Sequence, residues 1–591
     1  MEVLLVTESE INFIHKNVYH YPYLVKDGCL CEEVMTKHGP QHVKLADYVP
    51  VLTAEITRDD GIEQKKLFRV SAVHASGVQL PEVTVSAEEI SSMKWTLIKW
   101  GALGAPQPKH NVQNKICHAI MNTKENVKKE TVYLQTGWHR IGNEYFYLLP
   151  CEESNFTVEL TGKLRNYYLA KACDDVKLIY LAELLQNGFA PERVLFPMLA
   201  VTFLTPLNHF LKSAGCEPKF ITALVGRSGY GKSTLASLFL SFFGIFRSAE
   251  LPMSFHDTAN SILANIYYLK DVLTCIDDFH PSGIYQEQDM KEIAQNLSRY
   301  YGDRIGRGRL NTKAELQPGR PPTGNAIITA EYTPEISVSG CARYFILELK
   351  EHDVNFSKLE KYTALAEKNT LCSMMKSYVD WLKEKFLCDE NGLLFMLKTN
   401  FIENRKLFQD RLTQANISFH NRVPEMLAHI RIGFEFLMLF LCEKTVLNNS
   451  ATENYKIKLD EILLKNISET VEITDNENPT AKFIQKLKTL LDSGRCYVEQ
   501  RGESIKVRGK GYIGMEDISK FYLLADTVHS EVRKLCAEQG EHFSISKNQL
   551  IRQLADENIL IRYNGRNTTS IRDNGGKSMS VVILDKSKLL I

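Results

Sequence analysis

The stretch Ile221-Thr-Ala-Leu-Val-Gly-Arg-Ser-Gly-Tyr-Gly-Lys-Ser-Thr234 combines a strand, a glycine-rich loop and the start of a helix. Residues 221–225 are apolar or β-branched, which is typical of a buried strand. Gly226 is followed, after four residues, by Gly231-Lys232-Ser233, which matches the P-loop pattern. Glycines let consecutive backbone N–H groups surround phosphate oxygens, where a β-carbon would obstruct them. The stretch predicts a nucleoside triphosphate site; a Gly-rich turn with an incidental lysine is the alternative.

The loop residues have distinct expected roles. Lys232 is expected to reach the β- and γ-phosphates, and the Ser233 hydroxyl is expected to ligate Mg²⁺. The residues that we expect to contact ATP are Gly226, Ser228, Gly229, Tyr230, Gly231, Lys232, Ser233 and Thr234.

Composition places the chain among ordinary globular proteins. Its 591 residues suggest about three or four domains. Lys+Arg and Asp+Glu both total 71, so any surface for a polyanion has to be a local patch. The 13 cysteines are scattered, as expected of reduced thiols, and the first residues do not resemble a signal peptide. Apolar runs such as Val194–Leu204 are shorter than a bilayer span. We therefore expect a cytoplasmic protein without membrane contact.

The region before the P-loop predicts strands at residues 21–25, 51–56 and 67–73, followed by helices near 86–99 and 109–123. A second strand-rich stretch then covers residues 131–149.

Four residues near the start of the chain are of types that bind zinc: Cys29, Cys31, His38 and His42. A Cys-x-Cys spacing is poor for a tetrahedral site. Alternating cysteines on a strand are the simpler interpretation.

Changes of pattern along the chain predict five segments. These are a mixed α+β N-terminal region at 1–165, a nucleotide-binding core with a helical lead-in at 166–354, a helical region at 355–447, a polar linker at 448–480, and a C-terminal α/β region at 481–591.

Two carboxylates follow a predicted buried strand in Val272-Leu-Thr-Cys-Ile-Asp277-Asp278. A strand end of this kind places one carboxylate near Mg²⁺ and the next against the attacking water. We therefore assign Asp277 to the metal and Asp278 to water activation, with an Asp-Asp cap of the strand as the alternative.

A further strand is predicted at Ala326-Ile-Ile-Thr-Ala-Glu331. It suits a position between the P-loop strand and the Asp277 strand. Either Thr329 or Glu331 would then face the γ-phosphate, and the sequence leaves this choice open.

Two arginines are candidates for contact with the triphosphate. Arg343 precedes the predicted strand 344–347 and suits a role in trans on the nucleotide of a neighbouring subunit, with a surface salt bridge as the alternative. Arg422 precedes the apolar helix 424–441 and is expected to close a helical lid over the phosphates, unless it too has only a surface role.

Residues 303–325 predict a protruding β-hairpin, because glycines and prolines punctuate a stretch with five basic and two acidic residues. A cationic protrusion beside a nucleotide site suits a grip on phosphodiesters. Its candidate DNA contacts are Arg304, Arg307, Arg309 and Lys313, and a solvated loop is the alternative.

The C-terminal residues 541–591 predict a capped helix around Gln549–Ala555, a strand at Ile559–Arg562, a basic loop and a final strand at Ser578–Leu584. This order is typical of a winged helix. The candidate DNA contacts are Lys547, Arg552 and Arg566, although winged helices also bind proteins.

With these residues in place, the chain resembles P-loop proteins carried by bacterial plasmids, phages and integrative elements. The resemblance is strongest over residues 130–350. It includes the MCM-like, self-loading replicative helicases of staphylococcal cassette chromosome elements. The matching marks are Thr136-Gly137-Trp138-His139, Tyr145–Pro150, Phe255-His256-Asp257-Thr258-Ala259-Asn260 and Cys275–Phe279.

The resemblance implies an α/β protein with an AAA+ P-loop ATPase core, a helical lid, a mixed α+β N-terminal domain and a C-terminal winged helix. It also implies a homohexameric ring that hydrolyses ATP, moves on single-stranded DNA and unwinds forked duplexes, with origin DNA and element-encoded replication proteins as partners. In this family Arg343 would act in trans and Arg422 would be the second sensor. Asp278 departs from the glutamate usual at its position, and residues 244–271 are short for the second helix insertion of typical MCM rings.

Two other functions stay open: a AAA+ loader or remodeller that does not unwind DNA, and a DNA-binding initiator that uses ATP only as an assembly switch. Strand displacement distinguishes the helicase from both.

Overall fold

A computed structural model describes most of the chain. The described residues are 18–124, 127–151, 156–280, 284–306, 308–310, 316–333, 342–417, 419–477, 479–503, 509–539, 543 and 545–589. Within them the chain divides into two compact units, Met1–Leu464 and Lys465–Ile591.

The strands in chain order are β1 Tyr23–Lys26, β2 Cys29–Thr36, β3 Gly39–Ala46, β4 Tyr48–Asp59, β5 Gln64–His74, β6 Gln79–Ser86, β7 Lys128–Tyr133, β8 Gly137–Ile141, β9 Glu144–Leu148, β10 Thr157–Val158, β11 Ile221–Val225, β12 Met253–Ser254, β13 Leu273–Phe279, β14 Arg309–Leu310, β15 Leu316–Gln317, β16 Asn325–Ala330, β17 Tyr344–Glu348, β18 Tyr497–Gln500, β19 Tyr512–Glu516, β20 Lys520–Leu523, β21 Thr569–Arg572 and β22 Ser578–Asp585.

The α-helices are α1 Ala87–Ser92, α2 Trp95–Trp100, α3 Val112–Met121, α4 Ile179–Asn187, α5 Glu192–Leu204, α6 Asn208–Ser213, α7 Lys232–Leu240, α8 Ala259–Tyr268, α9 Ile284–Asp303, α10 Phe356–Glu367, α11 Thr370–Phe386, α12 Glu390–Gln414, α13 Arg422–Glu443, α14 Asn449–Glu477, α15 Pro479–Asp492, α16 Ala525–Glu538 and α17 Lys547–Asp556. Short 3₁₀ helices lie at Gly101–Gly104, Gly162–Asn166, Asp175–Leu178, Thr205–Leu207, Ser241–Phe243, Ser248–Glu250 and Lys586–Lys588.

The first unit begins with two sheets. One has the order β1-β2-β3 and the other the order β10-β7-β4-β5-β6. The turn between β1 and β2 is Asp27-Gly28, and both residues have positive φ, as expected for an Asp-Gly turn. Trp95 and Trp100 pack edge to face against each other in the core below these strands.

A parallel sheet of five strands positions the candidate site. Its order is β12-β13-β16-β11-β17, and each neighbouring pair is parallel. β16 therefore lies between the P-loop strand β11 and the Asp277 strand β13, as predicted. Every residue of β11 and β16 is buried, which fits a central position with both faces covered. Because the strands are parallel, their carboxyl ends meet at one edge of the sheet.

Helices α5 and α13 pack closely in the same unit. A β-carbon at Gly433 would lie 2.1 Å from the Ala200 carbonyl oxygen, so this close crossing requires glycine. Residues Glu192–Ser213, which include α5 and α6, form the one described helical segment long and apolar enough to cross a membrane. Of its most apolar window, 94% is buried inside the protein, as expected of a core helix.

The stretch 448–480, predicted as a polar linker, is mostly helical, and the boundary between the two compact units at Leu464 and Lys465 falls within it. Asn448 caps the start of α14 by accepting a hydrogen bond from the Ala451 backbone N–H at 2.8 Å. Leu459, Leu463 and Ile467 are buried at spacings of four residues, which gives the helix an apolar stripe. The polar residues therefore cap and coat a helix rather than interrupt the fold.

The second unit has a five-stranded sheet of order β18-β19-β20-β22-β21 with the helices α15, α16 and α17. Helix α17 covers the predicted segment and buries Leu550, Ile551 and Leu554. The strand expected at Ile559–Arg562 is reduced to a single bridge between Leu560 and Leu584. A tight turn follows, in which Tyr563 and Arg566 exchange backbone hydrogen bonds, and this turn ends the extended segment early.

The cysteines considered for zinc have a structural role. Cys29 and Cys31 are buried on one face of β2, and His42 pairs instead with Glu33 at 3.4 Å. Across the described residues, no three His, Cys, Asp or Glu side chains form a metal-binding group. This favours the interpretation as alternating strand cysteines.

Candidate functional site

The P-loop turns from β11 into α7 at the carboxyl edge of the parallel sheet. Gly229 and Gly231 have φ values of 84° and 87°, in the left-handed region that favours glycine. A β-carbon on Gly226 would lie 2.5 Å from the Leu349 carbonyl oxygen, so the loop leaves the sheet through a space that only glycine fits. The Tyr230 backbone N–H donates to the Arg227 carbonyl at 3.3 Å and closes the turn.

Lys232 lies along the inside of this loop. Its Nζ donates to the carbonyl oxygens of Gly226 at 2.7 Å and Arg227 at 3.0 Å. Burial lowers the pKa of Lys232, although the carboxylates of Glu331, Asp277 and Asp278 act in the opposite direction. The ammonium group is therefore held at the mouth of the loop among three acidic side chains.

Asp277 joins three elements of the sheet. Its Oδ1 accepts hydrogen bonds from Ser233 Oγ at 2.8 Å and from Thr329 Oγ1 at 2.5 Å. Ser233 comes from the start of α7, Asp277 from β13 and Thr329 from β16. Hydroxyl and carboxylate oxygens are ligands that Mg²⁺ prefers, and Mg²⁺ commonly takes one or two carboxylates together with substrate phosphates. The pair of Ser233 and Asp277 fits that ion.

Asp278 sits on an irregularity of β13. The register with β16 shifts between Ile276 and Phe279, and Asp278 has a φ of 66°. Its backbone N–H donates to Thr329 Oγ1 at 2.9 Å, so the Thr329 hydroxyl bridges both aspartates. The Asp278 Oδ2 atom lies 3.2 Å from His256 Nε2. The bulge directs the second carboxylate away from the metal pair.

Glu331 follows β16 and pairs with His280, whose Nδ1 lies 2.7 Å from the Glu331 carboxylate. Thr329 and Glu331 therefore have different surroundings. The Thr329 hydroxyl is bonded within the aspartate network, whereas Glu331 is held at the rim by a histidine.

These residues surround a cavity of about 390 Å³. Its lining residues are Ser228, Gly229, Gly231, Lys232, Ser233, Thr234, Ser248, Ala249, Asp278, Phe279, Thr329, Ala330, Glu331 and Phe356. The structure thus brings together the candidate loop residues, Asp278 and both sensor candidates. Gly226 and Tyr230 are not among the lining residues, and they contribute to the conformation of the loop instead.

Arg343 and Arg422 lie elsewhere, at the opposite edge of the sheet. Tyr344 pairs with Ile221 at the amino end of β11, whereas the P-loop follows the carboxyl end of that strand. Five residues of strand separate the two edges by roughly 16 Å. Arg343 donates to Asp303 at 2.9 Å and 3.1 Å, and Arg422 donates to the same carboxylate at 3.2 Å.

This position corrects the expectation that Arg422 closes over the phosphates of its own chain. The Asp303 carboxylate holds the Arg422 guanidinium at the amino edge, and the Gly302 carbonyl accepts a second bond from it at 3.3 Å. For Arg343, the salt bridge expected as the alternative is present, and the same position leaves a role in trans open.

The predicted hairpin is present as the antiparallel pair β14 and β15. Leu316 is exposed on it, and Gly306 permits close approach of the two arms, because a β-carbon there would lie 2.4 Å from the Arg320 backbone nitrogen. Arg307, Lys313 and the side chain of Arg309 lie outside the described residues.

Arg304 does not fit the predicted DNA contact, because it is only 8% exposed. Its guanidinium donates to the carbonyl oxygens of Pro218 at 2.7 Å, Gly324 at 2.8 Å and Pro322 at 3.1 Å. Two of these acceptors lie on the returning arm of the hairpin, between β15 and β16, and the third lies on the segment before β11. Arg304 therefore fastens the hairpin to the sheet from inside.

The C-terminal candidates lie in the second unit. Arg552 and Arg566 are exposed, and Lys547 donates to Asp526 at 2.5 Å. The pairing leaves Lys547 on the surface of its unit but partly neutralised.

Sequence reasoning missed three residues of the site as participants: His256, His280 and Gln286. His256 lies in the stretch Phe255–Asn260, which supported the family resemblance, but no spacing rule linked it to Asp278. Gln286 Nε2 lies 3.2 Å from His256 Nδ1, a contact between α9 and a turn 30 residues earlier that only the fold reveals.

Comparison with known proteins gives a structural match over nearly the whole chain. No family model matches the chain, and no curated protein matches it. The solved structure of the SCCmec type IV Cch active helicase aligns with 97% of this chain and 99% of its own, at 15% sequence identity and a TM-score of 0.56.

Two other solved structures give low scores. JCV helicase aligns with 46% of this chain and 70% of its own at 16% identity, with a TM-score of 0.20. The C-terminal region of NrS-1 aligns with 64% of this chain and 86% of its own at 11% identity, with a TM-score of 0.23. Scores of this size carry no argument. The TM-score of the Cch helicase is high enough to compare folds. It confirms, at the level of fold, the resemblance expected from the sequence. Over nearly its whole length, this chain has the fold of the SCCmec type IV Cch helicase.

Proposed function

We propose that this protein is an ATP-driven DNA helicase of the AAA+ type that helps replicate a mobile genetic element from the cytoplasm. The observation that carries the proposal is the chain of hydrogen bonds from Ser233 through Asp277 to Thr329 below the P-loop. It joins three neighbouring elements of a parallel sheet at the edge where such sheets bind nucleotides. The fold shared with the SCCmec Cch helicase supports the same assignment.

The cradle formed by the P-loop, Asp277, Asp278 and Thr329 has the parts that phosphoryl transfer requires. Loop N–H groups and Lys232 bind the phosphates, and Ser233 with Asp277 would hold Mg²⁺, which supplies charge neutralisation on the phosphate oxygens. Asp278 accepts a proton from the attacking water. Thr329 is the sensor candidate that the geometry favours, because its hydroxyl contacts Asp277 and the Asp278 backbone.

The active form that we propose is a homohexameric ring. Arg343 lies at the edge of the sheet opposite its own P-loop, so it suits the nucleotide of the next subunit rather than its own. In this arrangement Arg422, beside Arg343 on Asp303, accompanies it to the neighbour's site. The helices over residues 355–447 form the lid region of each subunit.

DNA contact is assigned to two parts of the chain. The hairpin of β14 and β15 starts from the amino edge of the sheet and exposes Leu316 at its tip side. Its sequence carries Arg307, Arg309 and Lys313, which suit contact with single-stranded phosphates. The second unit, with helix α17 and the strands β21 and β22, is the candidate winged helix, with Arg552 and Arg566 exposed.

A coupled assay tests the proposal. Purified protein should hydrolyse ATP in the presence of Mg²⁺ and displace the strand of a forked duplex at low salt. Lys232→Ala should abolish both activities, because the ammonium group is lost from the phosphate cradle. Lys313→Ala should lower DNA-stimulated hydrolysis more than basal hydrolysis.

The assay also separates the alternatives. ATP hydrolysis without strand displacement would favour a loader or remodeller. Nucleotide-dependent assembly on DNA without turnover would favour an initiator. Intact hydrolysis by Lys232→Ala would mean that the P-loop assignment is wrong.

A further inference from the structure

His256 belongs to a turn that is fixed at both ends. The backbone N–H of Ser254 donates to the Asp257 carboxylate at 2.9 Å, and the Thr258 hydroxyl caps α8 by accepting from Ser261 N–H at 3.3 Å. Phe255, which is buried, packs edge to face on Phe279 with ring centroids 5.1 Å apart. The turn therefore has little freedom relative to β13, and the imidazole extends from a rigid base.

The imidazole contacts Asp278 on one side and Gln286 on the other. Nε2 lies 3.2 Å from Asp278 Oδ2, and Nδ1 lies 3.2 Å from the amide nitrogen of Gln286. An amide nitrogen only donates hydrogen bonds, so Nδ1 of a neutral imidazole must accept here. The proton then resides on Nε2, which donates to the Asp278 carboxylate.

Asp278 needs such a contact. Its side chain is 55% exposed and, as an aspartate, is one methylene shorter than glutamate. An exposed carboxylate with free rotation would face the cavity only part of the time. A catalytic group held in one orientation avoids that loss.

We propose that His256 is a positioning residue for Asp278, with Gln286 fixing the tautomer that donates. The Nε2–H bond occupies Oδ2 and leaves Oδ1 available on a side chain that lines the cavity together with Lys232 and Thr329. His256 itself need not touch the nucleotide. This inference rests on the proposed ATPase function. It assigns a role to a residue that lies outside the P-loop, the two aspartates and the sensor strand.

If His256 served only the stability of the fold, its removal would lower the unfolding temperature; if it positions Asp278, its removal should lower kcat alone. The His256 side chain is 49% exposed, and exposed contacts of this kind contribute little to stability even when both groups are charged. His256→Ala should therefore unfold at the same temperature as the wild-type protein. A loss of kcat at constant stability would separate positioning from folding.

The kinetic experiment uses the full chain. Partners that orient a ligating or catalytic group typically contribute 10- to 100-fold, so kcat for ATP hydrolysis should fall about tenfold in His256→Ala, with KM and fluorescent-nucleotide affinity within about twofold. His256→Gln, whose amide nitrogen can donate to Oδ2, should regain most of kcat. The matched control is His74→Ala, which removes a histidine bonded to Ser76 on the N-terminal sheet and should leave every parameter unchanged.

Two further variants test the route through Asp278. In an Asp278→Asn background, His256→Ala should have no additional effect on kcat, because the bond it supports is already altered. NMR of isotope-labelled histidine should show His256 with its proton on Nε2, and Gln286→Ala should change that signal without lowering the unfolding temperature.

The outcomes distinguish a failure of the proposed ATPase function from a failure of the role inferred for His256. A wild-type protein that hydrolyses no ATP would overturn the proposed function and this inference together. Wild-type kcat in His256→Ala beside a reduced but measurable kcat in Asp278→Asn would overturn the inference alone. A proton on Nδ1, additive losses in the double variant, or His256→Gln as impaired as His256→Ala would do the same.

Discussion

Replacing Thr329 with valine tests whether one hydroxyl connects the two aspartates of the site. The side chain is only 1% exposed, and its Oγ1 donates to Asp277 at 2.5 Å and accepts from the Asp278 backbone N–H at 2.9 Å. Valine has nearly the same shape, so the backbone of β16 and the packing around it should persist. The change removes the hydroxyl and leaves both partners in place.

The magnitude follows from those two bonds. A hydrogen bond to a charged acceptor contributes about 1.5–3 kcal/mol, and a buried N–H without an acceptor costs about 1–3 kcal/mol. Both bonds belong to one hydroxyl and water can reach the cavity, so the free energy of unfolding should fall by about 2–3 kcal/mol. If most of this is also lost in the transition state, kcat falls about 10- to 100-fold, since each 1.4 kcal/mol is tenfold.

The assay compares three proteins by steady-state ATP hydrolysis, nucleotide affinity and urea unfolding. Thr222→Val is the matched control, because Thr222 is buried on β11 and its hydroxyl has no hydrogen-bond partner among the described residues. Its stability should be unchanged or higher. Glu331→Gln tests the other sensor candidate and should reduce kcat less than Thr329→Val does.

The reasoning is refuted if Thr329→Val retains kcat within about threefold of wild type while Thr222→Val behaves as expected. A larger effect of Glu331→Gln would instead assign the sensor role to Glu331. Loss of stability with normal kcat would restrict Thr329 to a structural role.

Three other predictions concern residues outside the cradle. Arg304→Ala should lower the free energy of unfolding by about 3 kcal/mol, because the carbonyls it serves lose a charged donor, whereas exposed Arg552→Ala should leave stability unchanged. Mixing Lys232→Ala with Arg343→Ala protein should restore part of the ATPase activity; mixtures as inactive as their components would contradict a role of Arg343 in trans. Burial lowers the pKa of His209 to about 4. The unfolded chain, with a pKa of about 6.5, takes up that proton first, so stability should fall as pH drops from about 6.5 to 4, and His209→Phe should flatten the fall in urea midpoints.

The grouping of the candidate site residues could be predicted from the sequence because these residues follow local rules. A buried strand, a glycine loop and a helix are contiguous in 221–234, and the aspartates and Thr329 each end a recognisable strand. Parallel strands bring such ends to one edge whatever the connections between them. The insertion of β16 between β11 and β13 was predicted for this reason.

The arginines could not be placed in this way. A basic residue beside glycines, such as Arg304, gives the same pattern whether it is solvated or buried, and only the three carbonyls around it decide. Arg422 begins a helix, and the sequence of that helix does not determine its direction relative to the sheet. The contact of His256 with Asp278 depends on a bulge and a turn from separate segments.

The helical conformation of the polar stretch 448–480 was missed for a different reason. Asn and Thr favour loops and helix caps alike. The buried residues Leu459, Leu463 and Ile467 are sparse in a polar background, so their helical spacing was outweighed by composition.

The two edges of the parallel sheet have a consequence for assembly. The P-loop, which belongs to the proposed phosphate cradle, follows the carboxyl end of its strand, whereas Arg343, Asp303 and Arg422 cluster at the amino ends. If one copy completes the cradle of another, the contact joins two different surfaces and is heterologous, so it must close into a ring or extend as a filament. A copy that lacks both Lys232 and Arg343 then impairs its neighbour's site as well as its own. Co-expressed Lys232→Ala/Arg343→Ala protein should therefore act dominantly and reduce activity more steeply than its share of the subunits.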